Sequence, residues 1–89
     1  MSSIISFNEF ENGTISAKYQ NLMRGATVVL VDNASGEELS DPVMRIASPA
    51  PNGQLRIKVP ASVKPGTYVL RALNANGVQV AQSAAFHIG

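Results

Sequence analysis

Few residues in this 89-residue chain are of types that do chemistry, and their spacing is poor for it. The only imidazole is His87, two residues from the C-terminus. A serine–histidine–acid relay would have to recruit His87 with a distant serine and carboxylate. No Gly-x-Ser-x-Gly, Ser-x-x-Lys or His-Glu-x-x-His pattern supports that geometry. In the local alternation His87 falls opposite Phe86 and Ile88, as a solvent-facing strand residue does. Neither an enzyme nor a cofactor is expected.

Oxygen ligands come closest to a cluster. Asp32, Glu37, Glu38 and Asp41 gather around one hairpin, and such loops hold calcium in some sandwiches. The run Asp32-x-Ala34-x-Gly36 lacks the alternating acids of a calcium loop, so a solvated acidic hairpin is expected and no metal site. Among the bases, Arg56, Lys58 and Arg71 read as a basic face on adjacent strands, the expected surface for a partner. Stacking on nucleic acid needs aromatics among the bases, and the two Tyr and three Phe are mostly claimed by the core. Nucleic acid is therefore not the expected partner. Glycans are held by exposed aromatics, and the candidates for ligand contact are Phe10, which lies beside a turn, and Tyr19, with Phe7 behind them. Asn12-Gly13-Thr14 and Asn33-Ala34-Ser35 fit the N-glycosylation sequon, both in expected turns.

The elements that must carry these residues are short. Eighty-nine residues make one domain, spanning 1–89, and a domain of that size buries only roughly 60% of its unfolded surface. One core must then serve every strand. Charged residues are 15% of the chain, against roughly 25% in typical soluble domains, which suits a member of an assembly. The net charge is +1 and unevenly spread. All the acids lie at or before Asp41, and most bases follow it (Arg45, Arg56, Lys58, Lys64, Arg71). Such polarity suits packing between copies. Cysteine is absent, which excludes disulfides, thiolate metal sites and thiol chemistry. No run is long and apolar enough for membrane insertion, and Met1 to Phe7 lacks the basic and apolar regions of a signal peptide. An intracellular protein or an excised domain is expected, with no fixed localisation.

No stretch sustains a helical period. Short alternating runs broken by turn residues point to an all-β domain. Ile4–Phe7 is a strand with little charge to guard its edge. Asn12-Gly13 is a hairpin turn. Ile15, Ala17 and Tyr19 share a face of the next strand. Ala26–Val31 reads as a central strand covered on both sides. Pro42 places 37–47 at a sheet edge, and 48–53 reads as a loop. Leu55, Ile57 and Val59 face in, while Gln54, Arg56 and Lys58 face out. Pro60 ends that strand, Pro65-Gly66 turns the chain, and Tyr68, Leu70 and Ala72 line the next. Val78 to Ile88 reads as one closing strand with Val78, Val80, Ala84, Phe86 and Ile88 inward. The sum is an antiparallel β-sandwich of about seven strands.

Gly66-Thr67-Tyr68-Val69-Leu70 has the shape of a tyrosine corner, in which a Tyr near a strand start bonds back to upstream backbone. Leu70 stands where antibody domains place a core cysteine. Tyr68 is thus expected to be architectural. The segments "ATVVLVDNASGEE" and "NGQLRIKVPASVKPGTYVLRALNANGVQVAQSAAFHI" resemble the immunoglobulin-like module of microbial surface, envelope and virion proteins. They are similar in particular to Ser/Thr-rich cell-wall domains of the Kre9/Knh1 type, over roughly residues 26–88. The resemblance implies an immunoglobulin-like sandwich and a non-catalytic structural or adhesive role, in contact with another protein or with copies of itself. A glycan-binding module of a cell or virion surface is the alternative.

Overall fold

The computed structural model describes residues 3–46 and 50–89, and of Ser40–Val43, Ala50 and Pro51 the backbone alone. Ser48 and Pro49 of the expected loop, and the side chain of Asp41, lie outside the described residues. The chain is all-β. Its strands are β1 (Ile4–Glu11), β2 (Thr14–Leu22), β3 (Thr27–Asp32), β4 (Glu38–Arg45), β5 (Ala50–Lys58), β6 (Gly66–Leu73), β7 (Gln79–Gln82) and β8 (Phe86–Ile88). They form two packed antiparallel sheets. One has the order β1-β2-β5, and the other β4-β3-β6-β7, with β8 also pairing β6.

The local reasons are legible residue by residue. Asn12 and Gly13 both take positive φ, 53° and 73°. That is the mirror-image turn whose twist matches a hairpin, so β1 folds directly onto β2. Ile15, Ala17 and Tyr19 of β2 and Leu55 and Ile57 of β5 point inward and are buried. The opposite positions Lys18, Gln20, Gln54, Arg56 and Lys58 are exposed. From the other sheet come Val28 and Leu30 of β3 and Tyr68, Leu70 and Ala72 of β6. Ile15, Val28, Leu70 and Ala72 have no accessible surface at all. Phe7 of β1 and Phe86 of β8 join the sheets at one side, their rings nearly parallel with centroids 4.1 Å apart.

β3 is covered on both faces, as its apolar run implies. Val29 and Val31, which turn away from the main core, pack with Val69 and partly buried Leu73 in a second small cluster. Arg71 stands opposite Val29, and Glu38 opposite Val31. Their side chains meet across β3 at 3.2 Å, and Arg71 also donates to Gln82 Oε1 at 3.3 Å. The guanidinium and its aliphatic stem thus lie over the valines.

Two expectations are corrected. Ala50 to Gly53 is not loop: it opens β5, with Gly53 opposite Tyr19 and Asn52 opposite Gln20. The closing strand is not continuous either. β7 ends at Gln82, β8 begins at Phe86, and Ser83 occupies the break with only 6% of its surface exposed. Val78 and Val80 are exposed at 58% and 37%, and Ala84 is exposed, so only Phe86 and Ile88 of the five expected inward residues face the core. The break has a physical cause. Ser83 Oγ takes the Leu70 N–H, a bond that a ladder carbonyl would otherwise accept, and the chain must bulge to present it.

β4 is an edge strand, as Pro42 implies. Pro42 falls where the register against β3 slips, between Val29 opposite Val43 and Val31 opposite Glu38. Among the described residues no helix is long and apolar enough to cross a membrane.

Candidate functional site: the outer face of the three-stranded sheet

The segment from Val59 to Pro65 carries the chain from one sheet to the other, because β5 pairs β2 and β6 pairs β3. The corner at its end is built as the sequence implies. The Tyr68 hydroxyl donates to the Lys64 carbonyl at 2.6 Å, with the ring buried. This crossing corrects the reading of Arg56, Lys58 and Arg71 as one basic face. The first two lie on β5 and Arg71 on β6, in different sheets. Arg71 is also engaged by Glu38 and Gln82. It serves the five-stranded sheet and leaves Arg56 and Lys58 on the other, where Lys18 of β2 is exposed as well.

Those two residues stand in a patterned surface. Across β1, β2 and β5 the register aligns Ile4, Gln20 and Asn52, then Ser6, Lys18 and Gln54. Next come Glu9, Ser16 and Arg56, then Glu11, Thr14 and Lys58. The shift at Asn8 between Phe7 and Glu9 brings both glutamates into these rows. A stripe of acid on β1 therefore faces a stripe of base on β5, with the short hydroxyls of Ser16 and Thr14 between. A shallow furrow of about 250 Å³ runs there, lined by Glu9, Glu11, Asn12, Thr14, Ser16 and Arg56. Two strand spacings separate the stripes, roughly 9.6 Å. Among the described residues the one ion pair is Arg71 with Glu38, so none of these charges is spent on another described residue.

Glu9 and Glu11 escape a reading of the sequence because Phe10 between them draws attention as an aromatic beside a turn. The signal was available: Glu-x-Glu before Asn-Gly and Arg-x-Lys in an alternating strand place like charges on single faces.

The candidate aromatics lie elsewhere. Tyr19 is 8% exposed, and its ring covers Gly53 on the neighbouring strand. A methyl group on Gly53 would sit 2.5 Å from the ring tip. Glycine leaves room there for the tyrosine to close over the backbone. Phe10 is half-buried and packs against the main core, as does Phe7. The surface around Tyr19 is a shallow depression bordered by Lys18, Gln20, Asn52 and Gln54.

The acidic hairpin is occupied by its own backbone. Asp32 Oδ1 accepts from Ala34 N–H at 2.8 Å and from Ser35 N–H at 3.4 Å, and Ser35 Oγ accepts from Glu37 N–H at 3.2 Å. Asp32 is thus the staple of a tight turn. An open cleft of about 550 Å³ lies between this hairpin and the corner, bordered by Asp32, Glu37, Lys64 and Tyr68 among others. His87 is exposed, paired with Thr67 at the sheet margin. No known family matches the sequence, and no characterised protein is similar enough to it to count as a relative.

Proposed function

We propose that the protein is a non-catalytic structural or adhesive module that contacts another protein, or copies of itself, in a surface, envelope or virion assembly. An immunoglobulin-like arrangement is part of this reading. It is supported by the crossing from β5 to β6, by the Tyr68 corner on that crossing, and by β1 closing onto the far sheet through the Phe7–Phe86 pair.

The observation that carries the reading is the outer face of β1-β2-β5. It bears charges of both signs that form no ion pair among the described residues, and it ends at the edge strand β1, where Ile4 is 46% exposed. Edges with so little charge between Ile4 and Phe7 are commonly covered by a partner. A glycan site through Phe10 and Tyr19 is less well supported, because the Tyr19 ring is committed to Gly53 and the Phe10 ring to the core.

Light scattering over a range of concentrations and ionic strengths, run beside a glycan array, tests the proposal. Association that weakens with salt supports it. A strictly monomeric chain that binds a defined glycan, with loss on Phe10→Ala, overturns it in favour of the lectin-like alternative.

A further inference from the structure

The charge pattern of the three-stranded sheet has a property beyond being mixed: it is complementary to itself. We propose that two copies of this chain stack face to face through the outer surface of β1-β2-β5. The two-fold axis runs along β2, so that Glu9 and Glu11 of each copy meet Arg56 and Lys58 of the other. This rests on the protein-contact reading above and names the partner as a second copy.

The geometry follows from the register. Glu9, Ser16 and Arg56 lie in one row across the sheet, and Glu11, Thr14 and Lys58 in the next. Rotation by half a turn about a line parallel to β2 and just above its outer face exchanges the two flanking strands and leaves each row at its own height. Glu9 then lies over Arg56, Arg56 over Glu9, Glu11 over Lys58 and Lys58 over Glu11. The contact is isologous, so one pattern supplies both halves. Ser16 and Thr14 sit on the axis. Their short side chains let the two faces approach at this end of β2, while the longer residues of β1 and β5 reach across at the flanks; Lys18 and Gln20 occupy the axis at the other end. The furrow over these two residues gives the opposing chains room. No rearrangement within the chain is needed, because none of the four charges is engaged in an ion pair among the described residues. The single like-charged meeting is Lys18 with its own copy. It lies one row from Glu9, within reach of a lysine stem.

Size sets the strength. Three strands of eight or nine residues make a face of roughly 15 by 28 Å, about 400 Å² on each copy. That is below the roughly 800 Å² per partner of a standard stable interface, so the pairing is weak and concentration-dependent. It becomes effective where many copies are held together, as in an assembly.

Sedimentation equilibrium on the full chain with charge reversals is the test. One variant carries Glu9→Lys and Glu11→Lys, another Arg56→Glu and Lys58→Glu, and a third all four. The altered side chains are exposed, and circular dichroism with thermal melting verifies that each variant folds. Each double variant alone should self-associate at least about tenfold more weakly than the original chain, since every flank contact becomes repulsive. An equimolar mixture of the two double variants should associate again, and the fourfold variant should regain self-association. If the original chain associates and the double variants do so equally well, the face assignment is overturned while the broader protein-contact reading stands. A mixture that stays monomeric also overturns it.

Discussion

Ser83 and Leu70 are joined by two hydrogen bonds, one of them through a side chain. The Ser83 N–H donates to the Leu70 carbonyl at 2.8 Å, and the Ser83 hydroxyl oxygen accepts the Leu70 N–H at 2.9 Å. The same hydroxyl donates to the Ala84 carbonyl at 2.9 Å. This pair holds together a ladder that is broken between β7 and β8, at a fully buried residue of β6. Ser83→Ala leaves the Leu70 N–H buried without an acceptor. The expected loss is about 1–3 kcal/mol in urea unfolding. An unchanged midpoint and slope would show that the break tolerates the missing hydroxyl.

Tyr68 is expected to act on stability alone. Tyr68→Phe keeps the ring and deletes the hydroxyl that reaches Lys64, leaving that carbonyl without this donor. A cost of about 1 kcal/mol is expected, and Tyr68→Ala should cost about 3–5 kcal/mol because the buried ring goes as well. Thermal melting of both variants measures the difference between the bond and the ring. An altered partner affinity at unchanged stability would make Tyr68 a contact residue instead.

The Arg71–Glu38 pair separates charge from cover. Glu38 is exposed, its side chain 43% accessible, so Glu38→Gln should shift stability by no more than about 0.5 kcal/mol. Arg71→Ala removes the stem over Val29 and Val31 too, and should cost about 1 kcal/mol or more. Equal effects of the two substitutions in a denaturant series would assign Arg71 to the ion pair alone.

Gly53→Ala should destabilise the domain by about 1–3 kcal/mol, because the new methyl group drives the Tyr19 ring from its place over the backbone. In a Tyr19→Leu background the same substitution should cost less than half as much. Equal costs in the two backgrounds, read from a double-mutant cycle, would contradict the contact.

Much of this fold was readable because its signals are local. The wet and dry faces of β2 and β5 follow from strict alternation between Thr14 and Tyr19 and between Gln54 and Val59. The corner followed from Pro65-Gly66-x-Tyr68. What was not readable depends on register between distant strands. The closing strand looks continuous until Ser83 is placed beside Leu70, since a serine that caps a buried amide has no periodicity of its own. Gly53 reads as a turn residue unless Tyr19 is known to lie across from it. The same holds for the interaction face. Arg56 and Arg71 are near in sequence and alternate outward alike, yet the crossing puts them on different sheets. Glu9 and Arg56 are far apart in sequence and share one row. Side-chain periodicity tells which residues face out, and only pairing tells which of them are neighbours.

Whether the protein works through the outer face of β1-β2-β5 is read most directly by amide chemical shifts over a dilution series of the unmodified chain. The expected result is a concentration-dependent, salt-sensitive movement of the Ser6, Glu9, Ser16, Lys18, Gln54 and Arg56 signals, with those of Val31, Thr67 and Arg71 on the other sheet unmoved. Shifts confined to the five-stranded sheet or the Asp32–Glu37 turn, or none at the highest attainable concentration, would contradict it.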